Sequence, residues 1–225
     1  MEGCRARHSD LMDTIEKASS QIKECGIVAI LRGDFSIEDM LRISDALLAG
    51  GVNVMEVTLN STSALEALPR LRKHFADTML IGAGTVRDVK QAGQSIDAGA
   101  QFLVSPNFDG ESVSFTRSRG VLHLPGVFTA TEAQIAFKAG CRMLKLFPME
   151  AAGPSYLKAL RAPLNDIDFV PTGGISLENI GDYARAGAVA VGMGSKLVLN
   201  KEQSTADLTG KAKALREAWE QAKNA

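Results

Sequence analysis

Residues 27–59 read "IVAILRGDFSIEDMLRISDALLAGGVNVMEVTL", and the order of patterns within this stretch decides the fold. The flanking runs "IVAIL" (27–31) and "VMEVTL" (54–59) are short, apolar and rich in β-branched residues, which is the signature of buried strands. Between them Ile37, Met40, Leu41, Ser44, Leu47 and Leu48 recur at helical spacing and fall near one face. Ser36 offers an N-cap oxygen, and the Gly50-Gly51 pair supplies the left-handed turn that ends a helix. A strand, a helix and a second strand in this order imply a right-handed crossover between parallel strands.

The same alternation continues to the end of the chain. Further strand candidates are "MLIGAG" (79–84), "FLVS" (102–105), "VLHLPG" (121–126), "MLKLFP" (143–148), "DFVPTGG" (168–174) and "AVAVGMG" (188–194). Amphipathic segments separate them, and Ala-Gly at 49–50, 98–99, 139–140 and 186–187 closes several of these. Eight strand–helix units in a chain of 225 residues predict a (β/α)8 barrel. A doubly wound open sheet would place GxGxxG after the first strand, where "ILRGDFS" stands instead. A helix over residues 11–24 precedes the first strand, and "STADLTGKAKALREAWEQAKNA" (204–225) forms a terminal helix. Residues 1–10 read as an irregular extension, and 11–225 as a single domain.

Composition excludes several functions. With 25 basic against 26 acidic residues, the chain lacks the basic excess of a nucleic-acid binder. No run approaches the roughly 20 apolar residues needed to cross a bilayer. Three cysteines, Cys4, Cys25 and Cys141, without a CxxC pair do not make a disulfide framework, so a reducing, cytoplasmic setting is expected. The histidines are His8, His74 and His123, too scattered for a zinc ligand set. His123 alone lies on a strand, where a structural role is the expectation.

Chemistry in such a barrel belongs to the C-terminal ends of the strands. There the sequence places Arg32, Glu56, Thr85, Pro106, Lys145, the "TGG" of 172–174 and the "GMGS" of 192–195. Alternation puts Val54, Glu56 and Thr58 on one side of their strand, and Met143, Lys145 and Phe147 on one side of theirs. Glu56 and Lys145 then both face the barrel interior. Burial disfavours an ammonium, so Lys145 would be a neutral amine able to condense with a ketone. A nearby carboxyl such as Glu56 would move the protons. The competing reading is a buried Lys–Glu pair that only satisfies itself. Gly173, Gly174, Gly194 and Ser195 could let an oxyanion approach the backbone at the two strand ends that hold phosphate in many such barrels. The alternative is that these glycines only make tight turns.

"EVTLN" (56–60), "IGAGTV" (81–86), "KLFPMEAAGPSYLKAL" (145–160) and "PTGGIS" (171–176), in this order, resemble the family of 2-keto-3-deoxy-6-phosphogluconate aldolases. That family includes 4-hydroxy-2-oxoglutarate and 6-phosphogalactonate relatives, and the resemblance spans about Ile27 to Leu199. It implies a class I pyruvate aldolase, a homotrimer, that needs neither metal nor added cofactor. In it Lys145 matches the imine-forming lysine and Glu56 the proton-moving glutamate. Thr85 and Pro106 match the pyruvate carboxylate site, Phe147 flanks the imine, and Gly173, Gly174, Gly194 and Ser195 match the phosphate segment. Gluconate-type members often carry Arg where this chain has Asn60, and Arg32 could supply that charge. Thr172 in turn resembles the gluconate enzymes, so the preference at C4 stays open. The alternatives are a 2-keto-3-deoxy-6-phosphogalactonate aldolase, a phosphosugar epimerase that forms no imine, and a barrel that only binds a phosphorylated metabolite.

Overall fold

The computed structural model describes residues 8–224. The elements run α1 (His8–Cys25), β1 (Ile27–Leu31), α2 (Ile37–Ala49), β2 (Val54–Thr58), α3 (Ala64–Phe75) and β3 (Leu80–Gly84). They continue α4 (Val89–Asp97), β4 (Phe102–Val104), α5 (Gly110–Ser118), β5 (Leu122–Leu124), β6 (Gly126–Val127) and α6 (Ala130–Lys138). The last are β7 (Met143–Leu146), α7 (Gly153–Arg161), β8 (Asp168–Pro171), α8 (Ile180–Arg185), β9 (Val191–Met193) and α9 (Thr205–Lys223). Sequence signals account for the helix starts. Ser36 with Asp39, and Thr129 with Glu132, form reciprocal capping boxes, while Asp88, Asp109 and Ser204 each cap through one side-chain oxygen.

Every strand pairing among the described residues is parallel. Six strands run β5-β4-β3-β2-β1-β9 and three run β6-β7-β8. β5 and β6 are two halves of one strand, broken at Pro125, which has no N–H for a ladder. The lower half pairs with β4 and the upper half with β7. At the other seam a single bridge, Thr172 to Gly192, joins the end of β8 to β9. The ring therefore closes as an eight-stranded barrel, as the alternation predicts, with two thin seams.

Large apolar side chains on the outer face of the strands, among them Met55, Leu103, Leu144 and Phe169, are fully buried beneath the helices. The inner face of β3 carries Gly82 and Gly84, and the room they leave is taken by Phe102 and Glu56. A methyl group at Gly82 would stand 2.5 Å from the Phe102 ring, and one at Gly84 would stand 2.7 Å from Glu56 Cδ.

The sequence expectation differs in two places: 121–126, expected as one strand, divides at Pro125, and the first helix starts earlier. α1 begins at His8, so residues 8–10 are helical rather than part of an irregular extension. Asp10 in the first turn complements the helix dipole and favours this longer helix. The remainder of the expected extension, with Cys4, lies outside the described residues. Cys25 and Cys141 are free and buried. His123 is packed inside, with Ser105 Oγ 2.7 Å from its Nε2 and Thr116 Oγ1 3.4 Å from its Nδ1. Burial pushes its pKa down to about 4, as fits a neutral structural ring.

Candidate active site

β2 and β7 carry the two charged-type side chains of the barrel interior. Glu56 is 1% exposed and Lys145 is 4% exposed, so both are taken out of water almost entirely. They line one small inner chamber with Val28, Ile30, Val104 and Val170. Glu56 Oε1 accepts no hydrogen bond among the described residues. The Lys145 backbone is fixed by its N–H, which donates to Pro125 O at 3.0 Å. Its Nζ lies 4.7 Å from the centroid of the Phe147 ring.

The electrostatics follow from this dryness. Burial pulls the Lys145 pKa below the ordinary lysine value, and the neighbouring Glu56 resists that shift while Arg32 adds to it. Burial likewise pushes Glu56 upward against the pull of Lys145 and then Arg32. Both shifts favour the uncharged partners, an amine facing a carboxylic acid, over the ion pair. An amine with an acid beside it is the arrangement that carbonyl addition requires. The amine supplies the electron pair, and the acid supplies the proton for the departing hydroxyl.

Above the chamber opens a cavity of about 300 Å³ at the C-terminal ends of β1, β7, β8 and β9. It contains Lys145, Phe147, Arg32, Gly173, Gly174, Gly194 and Ser195, so seven of the residues singled out from the sequence share one wall system. Gly173 and Gly174 have φ of 102° and 69°, a backbone region that disfavours residues with a Cβ. Gly174 also packs on Glu150, where a Cβ would stand 2.9 Å from Glu150 Cα. The loop after β8 is tied by Asn179, whose Oδ1 accepts from Ser176 N and whose Nδ2 donates to Gly174 O, both at 2.9 Å. After β9 a single turn closes as Leu197 N and Val198 N donate to Gly194 O, at 2.8 and 3.0 Å.

Asn60, Thr85 and Pro106 are not among the residues lining this cavity. Asn60 is exposed, and Thr85 is half-buried with φ of 59°. Pro106 is half-buried, and its carbonyl presses on Gly126. They stand after β2, β3 and β4, on a different part of the same C-terminal rim from the glycine segments. Two polar residues that the sequence reading did not place in the site, Glu150 and Lys196, line the cavity alongside Thr172 of the "TGG" segment. Thr172 also reaches the inner chamber. Glu150 and Lys196 are exposed loop residues with no periodic pattern to point inward, and only their adjacency to Phe147 and Ser195 could have suggested them.

A family model described as "Aldolase: KDPG and KHG aldolase" matches residues 18–211. The 2-dehydro-3-deoxy-phosphogluconate aldolase of Treponema pallidum is 39% identical over 188 residues, which is 83% of this chain and 87% of that protein. A solved structure described as native KDPGal superimposes with a TM-score of 0.84 at 34% identity, covering 88% of this chain and 96% of that one. The KDPG aldolase of Legionella pneumophila, with pyruvate captured as a covalent carbinolamine, superimposes with a TM-score of 0.74 at 32% identity, covering 89% and 96%.

Proposed function

The chain belongs to the KDPG and KHG aldolase family, and from that premise we propose that it cleaves 2-keto-3-deoxy-6-phosphogluconate to pyruvate and glyceraldehyde 3-phosphate through an imine on Lys145. The observation that carries the assignment is the burial of Lys145 beside Glu56 beneath a glycine-walled cavity. Lys145 Nζ adds to C2 of the keto acid, and Glu56 protonates the carbinolamine hydroxyl, which leaves as water. The resulting iminium is the electron sink. Glu56, now a carboxylate, takes the C4 hydroxyl proton through water. The C3–C4 bond breaks, its electrons form the enamine, and the aldehyde departs. Protonation at C3 and hydrolysis then release pyruvate and the free amine.

Because the iminium stabilises the developing carbanion, the reaction proceeds without a metal or added cofactor, and turnover survives a chelator. Arg32 holds the substrate carboxylate together with Asn60, Thr85 and Pro106 from the strand ends after β2, β3 and β4, Phe147 flanks the imine, and the segments of Gly173, Gly174, Gly194 and Ser195 receive the phosphate. The same imine would cleave 4-hydroxy-2-oxoglutarate to pyruvate and glyoxylate, since that bond breakage does not involve the phosphate end. Arg32 in the cavity, with the uncharged Asn60 outside it, favours tolerance of the galactonate epimer as a second substrate. The working form is a cytoplasmic homotrimer.

Incubation with pyruvate and borohydride, followed by peptide mass spectrometry, tests the mechanism. The expected result is a reduced adduct on Lys145. A folded protein with no adduct would refute it and leave the non-imine epimerase or the binding-only barrel.

A further inference from the structure

The phosphate end of the cavity carries a cation that the family resemblance did not supply. Lys196 follows Ser195 directly and lines the cavity wall with Gly174 and Gly194. The other cations on that wall have different places. Lys145 lies at the floor, and Arg32 stands at the end of β1, the strand paired with β9, where in the proposed reaction it holds the substrate carboxylate. Lys196 forms no close ion pair among the described residues and attracts Glu178 only at longer range, whereas nearby Lys201 reaches Asp34 and Lys211 reaches Asp207. The one acid on the cavity wall is Glu150, whose side chain packs against Gly174 with Cγ 3.2 Å from the position a Cβ would take. Without Lys196, a phosphate in the glycine cradle would meet the Glu150 carboxylate with only Arg32, already engaged with the substrate carboxylate, to offset it.

The loop that presents Lys196 is held rather than left free. Gln203 is 8% exposed and fully engaged. Its Oε1 accepts from Leu199 N at 2.9 Å, and its Nε2 donates to Leu197 O at 3.3 Å and to Asp207 Oδ2 at 2.8 Å. Arg42, on α2, donates to Gln203 O at 3.1 Å and to Lys201 O at 2.5 Å. A fixed stem lowers the entropy lost when the ammonium settles on an anion.

From this geometry we infer that Lys196 is a specificity residue: it offsets Glu150 and makes the site select phosphorylated over unphosphorylated substrates. The inference rests on the aldolase assignment for the orientation of the substrate, but its test does not need turnover. Binding of 3-phosphoglycerate and of glycerate is measured by calorimetry for the parent, Lys196→Met and Lys196→Arg. The expected result is that Lys196→Met weakens 3-phosphoglycerate about tenfold, the low end for a charge-assisted contact at a solvated rim, while Lys196→Arg stays within about twofold. Glycerate binding should not distinguish the three proteins. Equal 3-phosphoglycerate affinity in parent and Lys196→Met would overturn the inference, as would a parent that binds both ligands alike. Loss of both ligands in parallel would also overturn it, since that marks a structural role. Failure of the aldolase assignment is read separately, as absence of the pyruvate adduct on Lys145.

Discussion

Gly84→Ala should impair catalysis by moving one carboxyl group. The new methyl would stand 2.7 Å from Glu56 Cδ and 3.1 Å from Thr58 Cγ2, so Glu56 must retreat by at least about 0.7 Å to reach ordinary contact at 3.4 Å. It cannot retreat freely, because the chamber it shares with Val104 and Lys145 is small and walled by side chains. Overpacking of this kind costs about 1–3 kcal/mol. In a chain of this length that lowers the melting temperature by about 2–12 °C. A displacement approaching 1 Å at a proton-transferring group costs about 10²-fold in rate. Gly82→Ala is the control, since it sits two residues away on the same inner face and drives its methyl to 2.5 Å from the Phe102 ring. Gly82 is the register partner of Glu56, but the nearest atoms its methyl would meet all belong to the Phe102 ring, so the packing penalty falls there first. Both variants are assayed for pyruvate release with a coupled dehydrogenase and for unfolding by calorimetry. The expectation is that both melt lower but only Gly84→Ala loses about 10²-fold in kcat. Equal kcat losses in the two variants would refute the argument that Glu56 position is rate-determining.

Other outcomes follow from the same geometry. Lys145→Ala should leave a folded barrel with no turnover above background and no borohydride-trapped pyruvate, checked by the coupled assay and by mass spectrometry. The double variant Glu56→Leu/Lys145→Met removes two polar groups that burial disfavours, so it should be inactive yet about 1–4 kcal/mol more stable than the parent in urea unfolding. His123, held near pKa 4 against about 6.5 unfolded, stays neutral while the unfolded chain takes up a proton. Stability should therefore fall as pH drops from about 6.5 to about 4, by up to roughly 3 kcal/mol from this group, and His123→Gln should flatten that part of the urea-midpoint profile.

The barrel was legible because its signals are local. Most β-runs are followed by an amphipathic helix, and Ser36 and Thr129 act as the caps their positions suggest. The Lys145–Glu56 juxtaposition was legible too, because alternation on two strands of a closed barrel fixes which side chains meet inside. What escaped has non-local causes. The stretch 121–126 reads as one strand, and the change of partner at Pro125 depends on the register of β4 and β7. Lys196 and Glu150 enter the cavity through loop paths, and the loop of Lys196 is set by Arg42, a residue from the first third of the chain. Thr85 and Pro106 were legible as strand-end residues and Asn60 through the motif match, and all three follow β2, β3 and β4 beside the cavity-bearing part of the rim.

The two thin seams divide the chemistry as well as the hydrogen bonds. Lys145 rides on the three-stranded piece and Glu56 on the six-stranded one. The nucleophile and its acid are thus held on separable parts, meeting where the pieces face each other. Residues 126–171 form a contiguous cassette that carries the amine and its flanking ring, bounded by a proline break at one side and a single bridge at the other. Exchanging that cassette between related barrels would transplant the electrophile-capturing half of the reaction while leaving the proton-handling half in its original frame. Divergence in imine formation and divergence in proton management can then proceed on different segments of the gene.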